Sequence, residues 1–538
     1  MLKKQSFIKG TAILILANAI SKILGAVFKI PLAYILKEEG MAIFNTAMGV
    51  YSMVLTFIIS GLPIALSRYV AEEYTLKNYI TVKRAVKLST LIFCGLGIIG
   101  SLILYFFADF FALAMKDPKA VFAIKVISPA VFFVAWGNVY KSFYQGCVNM
   151  TPTAISQIIE AVIKLFVGIA FAYTMRNFPI DVTSAGGIFG ITAGEIIATF
   201  ILFMLFIPTN KKIPYTGEKR RKREIIDSIS AVAIPMLVSS CILGMLNLVD
   251  VAMIRNGLLK IEFTPLAAKA FLLKYSSYTT CFDNLEKTMK LTIDGARWLY
   301  GAYSGYALTI FHLPTGIIAA LGMSVLPLIS GALAKKDNAL LEKTTVTALK
   351  LTLLVSMPSA TVMLLFGEPI LELLFNNTAS AGMLTQLAPC LVFVCVSQLF
   401  TVILNASGRV VEPFLYSFLG VLIKLSSNLI LIPNPAFNIS GAIIGSNIGF
   451  FVVMILNGMS VVRNLGIKLL YKKSLVRLLI ACFVMGLILK LLYTPMTVIF
   501  TNTAVAVIVT VFVGLTAYLL SLISMNVINR QEIKSIKV

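Results

Sequence analysis

The chain has 538 residues, of which 59% are apolar and only 13% are charged, about half the charged share of a typical soluble domain. This small number of charges could not cover the surfaces of soluble domains. The composition therefore excludes a cytosolic or secreted enzyme. The net charge of +23 fits either nucleic-acid binding or the excess of Lys and Arg in the cytoplasmic loops of a membrane protein.

Apolar segments long enough to cross a bilayer follow one another along the whole chain. About 20 apolar residues span the hydrocarbon core as a helix. We predict fourteen such helices, near residues 10–34, 43–66, 86–108, 120–143, 153–174, 186–207, 229–253, 299–330, 345–365, 383–404, 412–433, 440–461, 475–493 and 501–524. The fold class is therefore an all-α integral membrane protein.

The positions of the basic residues indicate the orientation in the membrane. With a cytoplasmic N-terminus, more than half of the Lys and Arg fall in cytoplasmic segments, and the C-terminus is cytoplasmic too. The basic run 219–223 lies between two spans, where an orientation anchor near anionic lipid is favoured over a nucleic-acid site. We therefore expect no nucleic-acid partner.

Short matches recur in the same order in the two halves of the chain. They pair Ile23-Leu24-Gly25 with Ile242-Leu243-Gly244, Gly61-Leu62-Pro63 with Val325-Leu326-Pro327, Ala85–Ser89 with Ala348–Thr352, Val162–Leu165 with Leu422–Leu425, and Gly186 and Gly190 with Gly441 and Gly445. A collinear series indicates an internal duplication. We predict two six-helix lobes related by a parallel pseudo-twofold axis, followed by two further helices.

The duplication defines a domain organisation. We predict an N-lobe at 1–208, a basic cytoplasmic linker at 209–227, a C-lobe at 228–465 with a long external loop at 255–297, and the last two helices with a short cytoplasmic tail at 466–538. Such a repeat favours alternating access, with the ligand bound between the lobes. A duplicated scaffold without transport is the alternative.

Eight lysines fall inside the predicted spans, and two of them lie on the first helix. Asn18, Lys22, Gly25 and Lys29 are spaced by 4, 3 and 4 residues, which places them on one helical face. A charge at membrane depth needs a partner, water or a ligand. Two lysines without an acidic residue in the same helix indicate an anion, although Lys29 could instead snorkel to the outer interface.

The fifth predicted helix carries a second polar face. Gln157, Glu160 and Lys164 share it, and Glu160 and Lys164 are spaced to form an ion pair facing the cavity. Substrate contact or proton coupling is the alternative role for this pair. Lys424 is the repeat mate of Lys164, and Asn428 lies one turn beyond it.

The remaining polar positions do not indicate an enzyme. Glu195 is a lone carboxylate in the sixth helix, either a protonatable coupling site or a neutral, hydrogen-bonded residue. His312 is the only histidine, and the chain contains no CxxC, HExxH or Walker motif. We therefore predict no catalytic residue, no metal and no cofactor.

Several stretches of the N-terminal half resemble one family. They are Lys9-Gly10-Thr11, Ser21–Gly25, Glu39-Gly40, Gly61-Leu62-Pro63 with Ser67-Arg68 and Ala71-Glu72, Gln145-Gly146, and Asn149–Gln157. With its fourteen predicted helices, the chain resembles the SpoVB/MurJ-like polysaccharide exporters of the multidrug/oligosaccharidyl-lipid/polysaccharide (MOP) superfamily. The resemblance covers essentially the whole chain.

The resemblance implies a flippase in a bacterial cytoplasmic membrane for an undecaprenyl-diphosphate-linked saccharide, such as lipid II. It implies that Lys22 and Lys29 hold the diphosphate, together with Arg68 after the Leu-Pro of the second helix. Some family members carry an arginine in the eighth helix where this chain has Thr309. The last two helices would hold the lipid tail. The expected partners are the lipid-linked saccharide, membrane lipids and a coupling cation or the membrane potential, acting on a monomer.

Two other functions fit parts of the pattern. A cation-coupled multidrug exporter of the same superfamily would share the fold, but cationic drugs favour an acidic cavity face rather than Lys22 and Lys29. A non-transporting scaffold or a membrane enzyme of envelope synthesis is the other alternative. The external loop 255–297 contains no DxD motif that would support a glycosyltransferase.

Overall fold

The computed structural model describes residues 7–275, 282, 285–334, 336–467, 472–500 and 502–525. The chain forms two compact units, one of Met1–Gly305 with Pro433–Ala436 and one of Tyr306–Ile432 with Phe437–Val538. Nearly all described residues are helical, and the only β-type pairing among them is one bridge between Glu262 and Lys290. The lobe boundaries derived from the repeat stay a prediction.

Among the described residues, the first unit contains eleven α-helices, and seven of them have 14 residues or more. They are α1 (Phe7–Ile59), α2 (Leu62–Thr75), α3 (Tyr79–Phe106), α4 (Ala108–Ala114), α5 (Val121–Gly146), α6 (Thr151–Thr174), α7 (Ile180–Lys212), α8 (Lys222–Leu259), α9 (Pro265–Lys274), α10 (Leu285–Thr288) and α11 (Ile293–Gly301), with a 3₁₀ turn at Pro118–Ala120 before α5. A π-helical segment, Ala302–Ala307, connects α11 to the next helix.

The first helical stretch is too long for one membrane crossing. Leu16–Thr75 is an apolar stretch of 60 residues, which at 1.5 Å per residue would reach about 90 Å, three times the hydrocarbon core. The backbone leaves the helical conformation at Lys37, where φ is 53° and ψ is −165°. The described residues contain 13 candidate spans, and counting the first as two crossings gives the number predicted. The all-α membrane fold is confirmed.

The linker between α7 and α8 is attached to the start of α3. Thr81 Oγ donates to the carbonyl of Glu218 at 2.6 Å, and Arg84 donates to the carbonyl of Arg220 at 2.8 Å. Arg220 also reaches the buried carboxylate of Glu73, with 3.0 Å between Nη2 and Oε1. α7 and α8 extend into the predicted linker at both ends, so the residues between them are few and are held in place.

The predicted external loop contains ordered structure. The Glu262–Lys290 bridge is reinforced by an ion pair of 2.7 Å between their side chains. Phe271, Tyr275 and Trp298 form a series of packed rings, with neighbouring centroids 4.8 and 5.6 Å apart. Burial among these rings raises the pKa of the Tyr275 phenol to about 12. The predicted external loop and the start of α11 therefore share a small aromatic core.

The second unit contains seven long helices within its described residues. They are α12 (Leu308–Ala334), α13 (Asn338–Phe375), α14 (Ala381–Ala406), α15 (Val411–Leu431), α16 (Ile439–Leu465), α17 (Lys472–Ile499) and α18 (Thr503–Ser524). Asp337 caps α13 by accepting from the Leu340 amide at 2.9 Å. The Tyr518 hydroxyl of α18 donates to the carbonyl of Leu354 at 3.3 Å, which fastens the last helix to α13.

Candidate anion-binding site

Lys22 and Lys29 lie on α1, before its break at Lys37. They are two turns apart and therefore face the same side of the helix. Lys22 is exposed and Lys29 is partly buried. In the part of the chain that the structure describes, no carboxylate forms an ion pair with either ammonium group. Ser21 Oγ donates to the carbonyl of Gln157 at 3.1 Å and holds this part of α1 against α6.

A third ammonium group, that of Lys164 on α6, lies near Lys29. The two positive charges are close enough to repel each other. Lys164 Nζ lies 5.4 Å from the centroid of the Phe28 ring, so an aromatic face supplies part of its stabilisation. Like charges that converge away from bulk water are unfavourable unless an anion or water lies between them. The space near Lys29 and Lys164 therefore has the charge that a bound anion would neutralise.

The carboxylates of α6 and α7 pair differently from the prediction. Glu160 Oε2 lies 3.7 Å from Lys141 Nζ on α5, so the ion pair is with Lys141 rather than with Lys164. Glu195 is 9% exposed and is not a lone charged group, because Glu160, Lys141 and Lys164 lie within electrostatic range of it. Lys164 remains within electrostatic range of both carboxyl groups. The structure thus brings Lys29, Glu160, Lys164 and Glu195 together.

Close contact between α6 and α7 creates this cluster. A Cβ on Gly190 would meet the backbone of Gly168 and would lie 2.9 Å from the carbonyl of Lys164. A Cβ on Gly194 would lie 2.9 Å from the carbonyl of Glu160. Only glycine lets the two backbones approach this closely. Gly190 is one of the two glycines that the repeat pairs with α16.

The other predicted site residues take different positions. Arg68 is exposed on α2, and within the described residues no contact joins it to the α1 lysines. Gln157 Oε1 is buried without a hydrogen-bond partner, as is Thr153 Oγ1 one turn earlier. Such unsatisfied atoms indicate water or a ligand. Asn18 has a polar contact of its own, and so do Lys424 and the buried Asn428 on α15 of the second unit.

Two further residues near this cluster, Lys141 and Tyr51, had no predicted role. Lys141 was recognisable only as one of the lysines within the spans, because its partner Glu160 lies on a different helix. Tyr51 in the second half of α1 is buried within electrostatic range of Glu160 and Glu195. In the sequence, the only feature that could have identified Tyr51 is its hydroxyl group within an apolar predicted span.

Comparisons with known proteins place the chain in a family. Residues 7–333, more than half of the chain, match the family model described as polysaccharide biosynthesis protein. The chain belongs to the polysaccharide biosynthesis protein family. Residues 300–511 also match the model described as lipid II flippase MurJ.

Relatives of this polysaccharide biosynthesis protein cover most of its length. Stage V sporulation protein B of Bacillus subtilis (strain 168) is 24% identical over 480 residues, which is 87% of this chain and 86% of that protein. The lipid II flippase MurJ in its inward closed conformation has a TM-score of 0.62 at 16% identity, covering 94% of this chain and 97% of that one. An inward-facing MATE family multidrug resistance transporter of the MOP superfamily has a TM-score of 0.64 at 14% identity, covering 83% and 94%.

These likenesses establish the fold and the class of protein. The resemblance to SpoVB/MurJ-like exporters is confirmed by the two family models and by the sporulation relative. The structural neighbours have the MOP fold. This family member is therefore a multi-span membrane protein whose structural neighbours are transporters and a flippase rather than enzymes.

Proposed function

We propose that this protein moves a saccharide carried on undecaprenyl diphosphate, such as lipid II or a related envelope precursor, from the inner to the outer leaflet by alternating access. The observation that carries the proposal is the convergence of Lys29 and Lys164 without a carboxylate bound to Lys29. Lys22, on the same face of α1, is exposed and extends the positive surface. Membership in the polysaccharide biosynthesis family supports a lipid-linked saccharide as the ligand.

The chemistry of these side chains suits a diphosphate that must be released again. Lysine ammonium groups act as point charges on flexible stems and impose no fixed bidentate geometry, unlike arginine. Lys22 and Lys29 can therefore follow the diphosphate as the protein changes conformation. The unsatisfied oxygens of Gln157 and Thr153 offer hydrogen bonds to water or to sugar hydroxyls near the same helix.

Further residues receive supporting roles in this proposal. Arg68 would meet the diphosphate as it enters, while Asn18, Lys424 and Asn428 would supply polar contacts to the substrate. The distribution of basic residues supports a cytoplasmic N-terminus and C-terminus in the bacterial cytoplasmic membrane. A monomer driven by a coupling cation or by the membrane potential would suffice, because both predicted lobes belong to one chain.

The lipid tail would remain in the bilayer beside the last two helices. One face of α17 exposes a row of large apolar side chains, namely Val476, Leu479, Phe483, Leu487 and Leu491. Their spacing of three or four residues makes a continuous stripe along the helix. An apolar stripe of this kind is compatible with a long polyprenyl chain lying along it.

A cation-coupled multidrug exporter would have the same fold, as the MATE neighbour illustrates. The positive charge of the candidate site argues against a multidrug exporter for cations. A cationic drug would meet Lys29 and Lys164 with like charge, and repulsion in a medium of low dielectric constant opposes binding. An anionic substrate reverses the sign of this interaction.

Charge reversal at the α1 lysines tests the proposed function. Lys22→Glu together with Lys29→Glu, purified and placed in liposomes, should lose flipping of a fluorescent undecaprenyl-diphosphate saccharide. Loss of a single charge-assisted contact costs about 1.5–3 kcal/mol, which is roughly a 10- to 150-fold loss of affinity. Reversal at two positions should therefore reduce the rate to that of empty liposomes.

A matched control separates this effect from net charge. Lys269 and Lys274 are exposed on α9, outside the candidate spans, so Lys269→Glu with Lys274→Glu makes the same change in charge away from the site. The control should flip at the rate of the unmodified protein. Transport by the Lys22→Glu, Lys29→Glu protein at that same rate would show that these lysines do not hold the diphosphate.

A further inference from the structure

The linker between α7 and α8 packs directly on the turn between α2 and α3. The amide of Ile80 donates to the carbonyl of Thr216 at 3.2 Å. Gly217 has a φ of 101°, and a Cβ on it would lie 2.5 Å from the Cα of Asn78 and 2.7 Å from the carbonyl oxygen of Lys77. Only glycine fits such a contact between two backbones. The linker and the α2–α3 turn therefore form one continuous surface.

The side chains of the basic run 219–223 divide into two groups. Arg220 reaches the buried carboxylate of Glu73, and Arg223 lies 3.9 Å from the carboxylate of Asp227 on the next turn of α8. The other three basic residues of the run are exposed, and so are two at the end of α7 and one in the α2–α3 turn. These six exposed residues, which we call the linker basic surface, are Lys77, Lys211, Lys212, Lys219, Arg221 and Lys222.

The linker basic surface combines positive charge with exposed apolar side chains. The exposed carboxylates Glu218 and Glu224 lie in the same stretch, and they balance the six cationic groups only in part. Tyr215 is 77% exposed, and Lys83 Nζ lies 4.0 Å from the centroid of its ring. Leu76 in the α2–α3 turn is 57% exposed. Aromatic and basic side chains at the ends of apolar helices are typical of the interface between membrane and water.

The linker basic surface lies at the ends of three candidate spans. Leu16–Thr75 ends one residue before the residues of the α2–α3 turn, Tyr79–Phe106 begins directly after them, and Ile180–Lys212 ends where the linker begins. Lipid headgroups are therefore the nearest anionic groups in the membrane. Clusters of four to eight Lys and Arg beside a span bind anionic headgroups. An acidic protein would carry the same charge, but it would not account for the exposed Leu76 and Tyr215.

We propose that the linker basic surface binds anionic phospholipid headgroups of the adjacent leaflet, and that these headgroups cover the linker. Arg220 and its partner Glu73 hold the linker in place, while the six exposed cationic groups contact phosphate. Each Lys or Arg close to an anionic membrane strengthens binding about fivefold. Loss of three of them should therefore weaken headgroup binding roughly 100-fold. The proposed surface is separate from the lysines of the candidate anion-binding site.

Proteolysis of the full-length protein in lipid nanodiscs tests the proposal. One set of nanodiscs contains phosphatidylcholine alone, and in the other about one third of the lipid is phosphatidylglycerol, which is anionic. Trypsin cleaves after the exposed Lys219 and Arg221, and cleavage after the exposed Lys274 of α9 is the internal reference. Because cleavage follows the uncovered fraction of the linker, phosphatidylglycerol should lower the ratio of linker to reference cleavage about tenfold. In salt of about 1 M the screening length is about 3 Å, and the two lipid compositions should give the same ratio.

A triple variant identifies the side chains that bind the headgroups. Lys77→Gln with Lys211→Gln and Lys212→Gln removes half of the six charges but leaves the cleavage sites of the linker in place. Phosphatidylglycerol should slow linker cleavage of this variant by about twofold or less. The matched control replaces three exposed lysines outside the linker, namely Lys260, Lys269 and Lys287, by glutamine. It should keep the full protection of the unmodified protein.

Two results would overturn the proposal. If the unmodified protein gives the same cleavage ratio in both lipid compositions, anionic lipid does not cover the linker, and an acidic protein becomes the better partner for the surface. If phosphatidylglycerol protects the triple variant and its control equally, these lysines do not bind the headgroups. Should the triple variant fail to fold, the effect of salt on the unmodified protein decides, since protection that persists in salt of about 1 M is not electrostatic. The Lys22→Glu, Lys29→Glu protein should keep the full protection, so this proposal and the proposed function can fail independently.

Discussion

Arg297 and Asp117 form a buried ion pair across 180 residues of chain, with 2.8 Å between Nε and Oδ1. The other oxygen of Asp117 lies 2.8 Å from Nη1 of Arg255 and accepts from Thr46 Oγ at 3.3 Å. Arg297 also reaches Glu39 at 3.2 Å. Asp117 therefore joins α1, α8 and α11 at the start of the 3₁₀ turn before α5, and one carboxylate holds four segments of the first unit.

Replacement of Asp117 should strongly destabilise the first unit. In Asp117→Asn the amide keeps one acceptor oxygen but turns an N–H₂ group toward a guanidinium, which leaves Arg255 or Arg297 buried without its counter-charge. Breaking one partner of a buried ion pair costs about 3–5 kcal/mol. We expect a clear fall in the melting temperature of the purified protein, measured by tryptophan fluorescence during heating.

Asp109→Asn provides the control for that experiment. Asp109 pairs with Lys125 at 3.5 Å, but both side chains are well exposed, and exposed pairs contribute about 1 kcal/mol or less. Its melting temperature should stay near that of the unmodified protein. Equal losses in the two variants would mean that burial does not set the strength of the Asp117 network.

Gly301 should tolerate no side chain, because it ends α11 against the backbone of α1. A Cβ at this position would overlap the carbonyl group of Glu38. A backbone atom cannot rotate away as a side chain can, so Gly301→Ala should cost about 3 kcal/mol or more. The amount of monodisperse protein in size-exclusion chromatography after heating measures the loss. Gly95→Ala, where an added Cβ meets nothing within 4 Å, should lose nothing, and an equal loss there would contradict the explanation.

The membrane spans were predictable because their rule is local. Backbone polar groups cannot remain unpaired in lipid, so each crossing must be a long apolar helix that the sequence reveals directly. The face shared by Lys22 and Lys29 was also predictable, since helical periodicity alone fixes it. The extension of α7 and α8 into the predicted linker was less evident from the sequence. Lys211 and Lys212 in the last turn of α7 suit the negative end of the helix dipole and extend it into the linker.

Pairing between helices was not predictable from spacing. Glu160 and Lys164 are correctly spaced for an ion pair on one helix, but Lys141 of α5 takes that carboxylate. Glu195 has no charged residue within one turn in the sequence, and it comes near Glu160 only when α6 and α7 pack together. Asp117 and Arg297 are 180 residues apart in the sequence, and they too meet only in the folded unit. In each case tertiary packing decides which charge meets which.

The linker between α7 and α8 should become more accessible to protease when its ion pair with α2 is removed. Glu73 is fully buried and is bound by Arg220 at 3.0 Å and by Asn78 Nδ2 at 2.9 Å. Arg220→Ala leaves the carboxylate with Asn78 alone, a loss of about 1–3 kcal/mol, so trypsin should cleave the linker about tenfold faster. Arg223→Ala also removes one trypsin site, but its side chain is 93% exposed and its cleavage rate should not rise. The same rate in both variants would indicate that Arg220 does not hold the linker.

The contact between α6 and α7 should couple packing to anion binding. In Gly190→Ala the methyl group meets the backbone of Gly168 and lies 2.9 Å from the Lys164 carbonyl, so α6 must move away from α7. We expect a loss of about 1–3 kcal/mol of stability and weaker pyrophosphate binding, because Lys164 and Glu160 move with α6. Gly331→Ala in α12, where an added Cβ meets nothing within 4 Å, should change neither property. If Gly190→Ala lowers stability but leaves pyrophosphate affinity unchanged, Lys164 does not need this close approach of the two helices to bind the anion.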